Sequence, residues 1–155
     1  MSGEILHLYR SPGHNFVGRH GQSPRGLPMQ EEDCLVCEAG RGIVGDRYFD
    51  YRRDFKGQIT FFAWETHEAL CAHLKLRRSP SVYRRNVILR KVDLSSWIGA
   101  EFELQGIRFR GTEEAKPCYW MDTAFGAGAE EWLRGRGGLR AQILTSGTLR
   151  RTAQV

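Results

Sequence analysis

The stretch Glu101-Phe-Glu-Leu-Gln-Gly-Ile-Arg-Phe-Arg-Gly111 carries the clearest indication of fold in this sequence. On both sides of Gln105-Gly106, apolar residues alternate with polar ones, which is the pattern of a strand with one buried face. The Gln-Gly pair itself has the length and the glycine content of a two-residue hairpin turn. The stretch therefore predicts an antiparallel β-hairpin that packs one face against a core.

Short segments of the same type lie on both sides of the hairpin, separated by glycine-containing turns. Strands are predicted over residues 4–10, 34–38, 57–62, 85–91, 101–104, 107–111 and 139–144. A long helix is predicted over 64–78, ended by Ser79-Pro80, and a short helix over 129–134, ended by glycines. We expect a mainly β fold: a closed, mostly antiparallel β-barrel with one long and one short external helix.

The composition is that of an ordinary globular domain. The 155 residues are 41% hydrophobic and 26% charged, which excludes a disordered tail or a fibrous repeat. This length suits a single domain over 1–155. No apolar run approaches the roughly 20 residues that cross a bilayer, and no secretory signal is visible, so we expect a cytoplasmic protein without a membrane partner. The net charge of +5 favours anionic partners.

Cys118 is the strongest candidate for chemistry. It follows Pro117 directly after a predicted strand, and proline there ends the strand ladder and presents the thiol at the strand end. Lys116, two positions earlier, favours the thiolate, which is the form that acts as a nucleophile or a metal ligand. The alternative is a buried structural cysteine.

The other three cysteines are predicted to be structural. Cys34 and Cys37 form a C-x-x-C, but a zinc site needs a second ligand pair at suitable spacing, and the sequence has none. In an extended strand the two thiols also point to opposite faces, which prevents chelation. Cys71 falls on the apolar face of the predicted long helix.

Three further segments are candidates for binding an anion. Tyr83-Arg84-Arg85-Asn86 opens a predicted strand with two guanidinium forks and an amide, which suit a phosphate or a pterin edge; the alternative is an ordinary basic strand entry. The loop that carries His14 and His20 is either a polar surface loop or part of an anion or cofactor pocket. The glycines of Gly42-Ile-Val-Gly45-Asp46 permit a close approach of the backbone to a ligand.

Taken in order, several of these stretches resemble the MOSC family, a domain found at the C-terminus of molybdenum-cofactor sulfurases and in small stand-alone proteins. The matching stretches are Gly42-Ile-Val-Gly45-Asp46, Gly57-Gln-Ile-Thr-Phe61, Arg85-Asn86-Val87, Ile98-Gly99-Ala100, Pro117-Cys118 and Gly138-Leu-Arg-Ala-Gln-Ile-Leu-Thr-Ser-Gly147. This ordered set covers about residues 40–147. The resemblance implies a closed, mostly antiparallel barrel like the small domain of pyruvate kinase.

The resemblance also implies the molybdenum cofactor, a molybdopterin, as the ligand. Cys118 would then be the catalytic residue, either ligating molybdenum or carrying sulfur as a persulfide, and a thiolate is a soft ligand that suits this metal. The predicted cofactor-binding residues are Arg84, Arg85, Asn86, Asp46, Lys116, His14 and His20. The implied activity is reduction of N-hydroxylated compounds or sulfur transfer, with a small-molecule substrate and an electron-donor or sulfur-donor protein. Pyridoxal phosphate is not expected.

Two other functions stay open. A small basic barrel can bind single-stranded nucleic acid, but the aromatic residues mostly alternate as core residues and leave few for stacking bases, so nucleic acid is not the expected partner. A metal-free thiol enzyme would pair Cys118 with a histidine base, and the sequence does not show which histidine would reach it.

Overall fold

The structure is a computed structural model that describes residues 3–12 and 29–152. Within these ranges the strands are β1 Glu4–Arg10, β2 Gln30–Glu32, β3 Cys34–Glu38, β4 Gly42–Ile43, β5 Ile59–Ala63, β6 Val87–Arg90, β7 Glu101–Leu104, β8 Ile107–Glu114, β9 Leu139–Ile143 and β10 Gly147–Arg150. The helices are α1 Trp64–Leu74, α2 Trp120–Ala124 and α3 Ala129–Trp132, with 3-10 turns at Pro80–Tyr83 and Leu94–Trp97. His14 and His20 lie outside the described residues.

The strands form two sheets, and in the described part of the chain neither sheet closes on itself. The larger sheet has the order β2-β1-β6-β5-β9-β8-β7, and the smaller has the order β10-β3-β4. Every pairing is antiparallel except β5 with β6. The expected mainly β and mostly antiparallel fold is confirmed. The expected closed barrel is wrong, because three strands form a sheet of their own and the edge strands β2 and β7 do not pair with each other.

The predicted hairpin is confirmed. Strands β7 and β8 pair with Phe102 opposite Phe109 and Leu104 opposite Ile107. The turn residues Gln105 and Gly106 have φ of 52° and 81°, as a two-residue turn with two left-handed positions requires.

Two apolar clusters lie on opposite faces of the larger sheet, because neighbouring strand residues point to opposite faces. Leu8, Phe61 and Val87 pack with residues of the smaller sheet in one cluster. The next residues along the chain, Tyr9, Phe62 and Ile88, pack under the helices in the other cluster. The molecule therefore has three layers, namely the small sheet, the large sheet and the helices. The sequence pattern places Phe61, Phe62, Phe102 and Phe109 in the core; Phe61, Phe62 and Phe109 are fully buried, and Phe102 packs against the first cluster.

The helices differ from the predicted ones at their ends. Helix α1 ends at Leu74 instead of Arg78, because Lys75 takes the left-handed conformation with φ 55° and the Leu76 N–H returns to the Cys71 carbonyl at 3.1 Å. Helix α3 ends at Trp132 and thus before the predicted 134. Helix α2 begins just after Cys118 and is not predicted from the sequence. Among the described helices, none is long and apolar enough to cross a membrane.

Candidate functional site

A cleft of about 350 Å³, here called the basic cleft, opens beside the start of β6 and the end of β8. Its lining residues are Arg47, Tyr48, Phe55, Gly57, Thr60, Arg84, Arg85, Glu113, Glu114, Ala115, Lys116 and Arg140. Five of these side chains are cationic and two are carboxylates, so the cleft favours an anionic ligand. Its volume lies at the lower end of the range of about 300–1,000 Å³ that is usual for small-molecule sites.

Three of the predicted binding residues meet in this cleft, namely Arg84, Arg85 and Lys116. Strand β6 begins only at Val87, so both arginines belong to the turn that leads into the strand. Arg84 has a left-handed φ of 57°, and the two guanidinium groups have different partners: that of Arg84 donates to the Ser11 hydroxyl, and that of Arg85 donates to main-chain carbonyls. Lys116 is exposed at the rim. The structure therefore brings these residues together as the sequence predicts, and their role towards a cofactor stays a prediction.

Arg85 is half-buried, and its guanidinium is bound by main-chain carbonyls. Nε donates to the Gly137 carbonyl at 3.0 Å, Nη1 to Tyr83 at 2.9 Å and Nη2 to Ala115 at 2.9 Å. Burial lowers the pKa of Arg85 to about 10, and the nearby Cys118 acts in the opposite direction. Arg85 is therefore still a cation at neutral pH, and it joins three segments of the cleft wall.

Arg84 and Arg47 are two further cations that line the cleft. Arg47 donates to the Arg84 carbonyl at 3.1 Å, and Arg84 donates to the Ser11 hydroxyl at 3.4 Å. Burial, followed by the like charge of Arg47, lowers the pKa of Arg84 to about 10. Within the described ranges, the buried Nε of Arg47 has no hydrogen-bond partner. A buried donor without a partner is costly, and an anionic ligand would satisfy it.

Asp46 and Asn86 are buried, and their hydrogen bonds fix the segments that carry the cleft residues. Asp46 accepts from the Ser11 N–H at 2.9 Å and the Tyr48 N–H at 3.3 Å, so it fixes the turn that carries Arg47. The Asn86 amide donates to the Tyr9 carbonyl at 3.1 Å and accepts from the Thr60 N–H at 2.9 Å and hydroxyl at 3.1 Å. These bonds join β1, β5 and the entry to β6. Both side chains thus position the binding residues, and contact with a cofactor stays a prediction.

Arg140 was not among the predicted binding residues, although it lies in the last of the MOSC-like stretches. Its guanidinium forms an ion pair with Glu113 and lies over the Phe55 ring, 5.2 Å from the ring centre. It also lies against Gly57, where an added Cβ would come within 2.7 Å of Arg140 Nε. Arg47 is the other missed residue. The available signal was position relative to the stretches that resemble the family, since Arg140 lies within one and Arg47 directly follows another, but the two residues come to one cleft only in the fold.

Cys118 is exposed and follows the cleft residues Ala115 and Lys116. The segment that carries it is tied to the sheet, because the Ala115 N–H donates to the Gly138 carbonyl at 2.9 Å. At its other end, the Cys118 carbonyl accepts from the Met121 N–H at 2.9 Å at the start of α2. The sequence prediction of an accessible thiol at a strand end is consistent with this placement, and its catalytic role is not tested by it.

The remaining cysteines lie where the sequence places them. Cys37 and Cys71 are buried, and Cys34 is half-buried on β3. Burial raises the pKa of Cys37 to about 12, which keeps this thiol protonated. Among the described residues, no group of three or more histidines, cysteines or carboxylates could hold a metal ion. A metal bound by Cys118 would therefore take further ligands from outside the described residues, such as a cofactor.

No described histidine forms a hydrogen bond with Cys118. His67 is buried, with Nδ1 2.6 Å from the Tyr83 hydroxyl and Nε2 3.7 Å from the Cys71 sulfur. Burial lowers the pKa of His67 to about 4, so it is neutral at pH 7. His7 is bound to Glu31 at 2.6 Å. A histidine base for a metal-free thiol enzyme is thus not found in the described ranges.

A second and larger cleft of about 660 Å³ lies between the start of α1, the Leu94–Trp97 turn and loop 135–138. It shares Glu114 with the basic cleft, and its charged residues are Glu65, Lys91, Asp93, Glu114 and Arg136. Carboxylates outnumber cations there, and none of the predicted site residues that the structure describes lines it. Of the two clefts, it is therefore the smaller, basic one that the predicted site residues Arg84, Arg85 and Lys116 line.

Comparison with known proteins identifies the fold. No protein-family model matches the chain, and no curated protein matches it significantly. Among solved structures, the YuaD protein from Bacillus subtilis matches with a TM-score of 0.75 and 17% identity, covering 97% of this chain and 92% of that one. YiiM from Escherichia coli matches with a TM-score of 0.60 and 14% identity, over 94% and 71%. YiiM from Geobacillus stearothermophilus matches with a TM-score of 0.67 and 10% identity, over 96% and 71%. YiiM is a MOSC-domain protein, and the fold of this chain is MOSC-like.

Proposed function

We propose that this protein binds the molybdenum cofactor in the basic cleft, with Cys118 as the thiol that ligates molybdenum or carries sulfur. One observation carries the proposal: on a MOSC-like fold, an exposed cysteine lies on a segment whose preceding residues line a cleft with an excess of cations. The thiol and the anion site are the two features that a pterin phosphate with a bound soft metal requires.

The chemistry of the lining residues suits the phosphate end of such a cofactor. Arg47, Arg84, Lys116 and Arg140 bring positive charge to the cleft, and the buried Nε of Arg47 is a donor that lacks an acceptor within the described ranges. Guanidinium groups bind phosphate through two parallel N–H donors, which fixes its orientation as well as its position. The Tyr48 and Phe55 rings line the same cleft and lie under two of these cations, with Arg47 5.0 Å from the Tyr48 ring centre and Arg140 5.2 Å from that of Phe55.

Each residue then has a defined task. The cofactor, when bound, supplies a redox-active metal centre that side chains alone cannot provide. Arg47 and Arg140 neutralise and orient the anionic end, and Glu113 holds Arg140 in place by the ion pair between them. Asp46 and Asn86 fix the turns that carry the cations. Cys118 offers a sulfur ligand on a segment that the sheet holds in place.

The proposed activity follows from this site. Reduction of an N-hydroxylated compound converts N–OH into N–H and releases water, which takes two electrons from an electron-donor protein and two protons from solvent. Sulfur transfer is the second form of the proposal: the Cys118 thiolate attacks the outer sulfur of a persulfide on a sulfur-donor protein, the donor's S–S bond breaks, and the donor leaves as a thiolate while Cys118 carries the persulfide. The small-molecule substrate and either donor protein are parts of the proposal.

Metal and pterin analysis tests the proposal directly. The full-length chain is purified from cells that make the molybdenum cofactor and from cells that cannot, and molybdenum and pterin are measured per protein chain. We expect both in the first preparation and neither in the second. Cys118→Ser should lose most of the molybdenum while keeping its fold, because a hydroxyl is a harder and far less acidic ligand. Arg134→Ala, a change at an exposed arginine outside the cleft, is the control and should keep both. Wild-type protein without molybdenum or pterin would refute the proposal.

A further inference from the structure

The guanidinium of Arg85 is hydrogen-bonded to the main chain of the protein itself. An arginine has five N–H donors in a rigid planar fork, and here all three nitrogens donate to main-chain carbonyls, those of Tyr83, Ala115 and Gly137. These carbonyls belong to three separate segments: the turn before β6, the end of β8 and the loop before β9. Three of the five N–H donors are thereby used, including that of Nε, so a phosphate could meet only the two that remain, one on each Nη nitrogen.

The three segments meet at the base of the segment that carries Cys118. An added Cβ at Gly137 would lie 2.2 Å from the Ala115 carbonyl oxygen and 2.8 Å from Pro117 Cδ, so the two chains are already in direct contact. The Ala115 N–H donates to the Gly138 carbonyl at 2.9 Å, while its own carbonyl accepts from Arg85. Arg85 therefore holds the last residue before Lys116-Pro117-Cys118 from the cleft side.

From this geometry we infer that Arg85 is a positioning residue, which holds the Cys118 thiol at the rim of the basic cleft and does not bind the cofactor phosphate. The biological meaning of this inference rests on the function proposed above, since it is there that the thiol and the anion must meet. The position itself is a property of the chain alone. Lysine cannot replace Arg85 in this task, because a single ammonium group lacks the planar fork that spans three carbonyls.

The test compares two alkylating reagents of similar size, neutral iodoacetamide and anionic iodoacetate, on protein from cells that lack the molybdenum cofactor. Peptide mass spectrometry gives the rate of modification at Cys118 with each reagent. A thiol held at a cationic cleft meets a locally raised concentration of the anionic reagent. We therefore expect the iodoacetate-to-iodoacetamide rate ratio of Cys118 to exceed that of glutathione by about tenfold.

Arg85→Ala should bring this ratio close to that of glutathione, and Arg85→Lys should do the same although it keeps the charge. Addition of millimolar guanidinium to Arg85→Ala should restore part of the ratio, whereas ammonium at equal ionic strength should not. Cys37 and Cys71 report on folding in the same samples, because both are buried and should stay unmodified. Arg85→Lys, which preserves more of the packing, carries the test if Arg85→Ala does not fold.

A ratio in Arg85→Lys equal to that of the wild type would overturn the inference, because charge alone would then be sufficient. A ratio that is unchanged in Arg85→Ala, with Cys37 and Cys71 still protected, would overturn it as well. These outcomes are independent of the proposed function, which fails if wild-type protein from cofactor-producing cells holds no molybdenum or pterin.

Discussion

Two cysteines of this protein have complementary surroundings. Cys71 has the histidine that a thiol enzyme needs, with its sulfur 3.7 Å from His67 Nε2, but both residues are buried in the cluster under the helices. Cys118 has no such neighbour among the described residues, but it is exposed and lies next to the basic cleft. One site has the base without access, and the other has access and cations without the base.

The comparison shows why proximity to a histidine is a weak indication of function. His67 also binds the Tyr83 hydroxyl at 2.6 Å, and Tyr83 stacks on Phe62 with ring centres 4.0 Å apart. The polar atoms thus satisfy one another inside an apolar cluster, as buried polar groups must. Access and local charge, which only Cys118 combines, are the better guide to reactive cysteines.

The largest expected effect is the difference in reactivity between these cysteines. In folded protein, Cys118 should react with iodoacetamide about a thousandfold faster than Cys37 or Cys71, because both of these thiols are buried and out of reach of the reagent. Peptide mass spectrometry after timed quenching gives the rates. In protein unfolded by denaturant, all four cysteines should react at similar rates, which is the control. Faster modification of Cys71 or Cys34 than of Cys118 in the folded state would contradict the comparison.

The second effect is a loss of stability on substitution of Gly138, whose carbonyl binds the segment that carries Cys118. Gly138 has φ 104°, and an added Cβ would lie 2.2 Å from the Phe61 carbonyl oxygen, so Gly138→Ala forces β5 and β9 apart. We expect a loss of at least about 3 kcal/mol in the free energy of unfolding. Gly135→Ala is the matched control, since Gly135 also has a positive φ but meets no atom within 4 Å. It should lose only about 1–2 kcal/mol. Urea unfolding curves measure both losses, and equal losses would refute the close approach.

The third effect concerns the buried His67 beside Cys71, which should make the free energy of unfolding fall as the pH is lowered. Burial lowers the pKa of His67 from 6.5 to about 4, so the unfolded chain binds a proton there at higher pH than the folded one. The stabilisation is therefore complete above pH 6.5 and declines as the pH falls towards 4. From the size of the shift it amounts to about 3 kcal/mol.

Urea unfolding of His67→Gln between pH 4 and 7 should show a weaker pH dependence than the wild type. His73→Gln is the control on the same helix, because His73 is exposed, and it should retain the full dependence. An identical dependence in the wild type and in His67→Gln would show that other groups are responsible.

What the sequence could predict depended on the range of the interactions. The hairpin follows from alternation within eleven neighbouring residues: β7 and the start of β8 lie at the predicted residues, while β8 continues to Glu114, beyond the predicted end at Gly111. Barrel closure depends on which strands meet at the sheet edges, and β4 has only two residues and carries almost no pattern. Helix α2 has five residues, and the packing around it includes the bond from Trp120 Nε1 to the Val82 carbonyl at 2.8 Å. Such contacts are not visible in a local pattern.

The same distinction applies to the site. Arg84, Arg85 and Lys116 were found because each adjoins a recognisable stretch, and they do line one cleft. Arg47 and Arg140 were missed, because only the pairing of β5 with β9 and the turn fixed by Asp46 bring them to the same place. The side-chain bonds that distinguish a positioning arginine from a binding one also require the folded chain.

The smallest expected effect is a change in phosphate affinity, which tests whether the basic cleft next to Cys118 binds anions through Arg140. This guanidinium lines the cleft, but its positive charge is partly neutralised by the carboxylate of Glu113, with which it forms an ion pair. Arg140→Ala should weaken the binding of inorganic phosphate by about three- to tenfold, as expected for the loss of one charge-assisted contact at a partly exposed site.

Glu113→Gln should have the opposite effect and strengthen the binding of phosphate by about threefold, because it removes a competing negative charge while it keeps the side-chain volume. Isothermal titration calorimetry at constant ionic strength measures both changes, with Arg134→Ala as the control for net charge. If Arg134→Ala weakens phosphate binding as much as Arg140→Ala does, the effect comes from the overall charge of the protein and not from the cleft. Opposite signs for Arg140→Ala and Glu113→Gln, with no change in Arg134→Ala, would assign anion binding to the side of the molecule that carries Cys118.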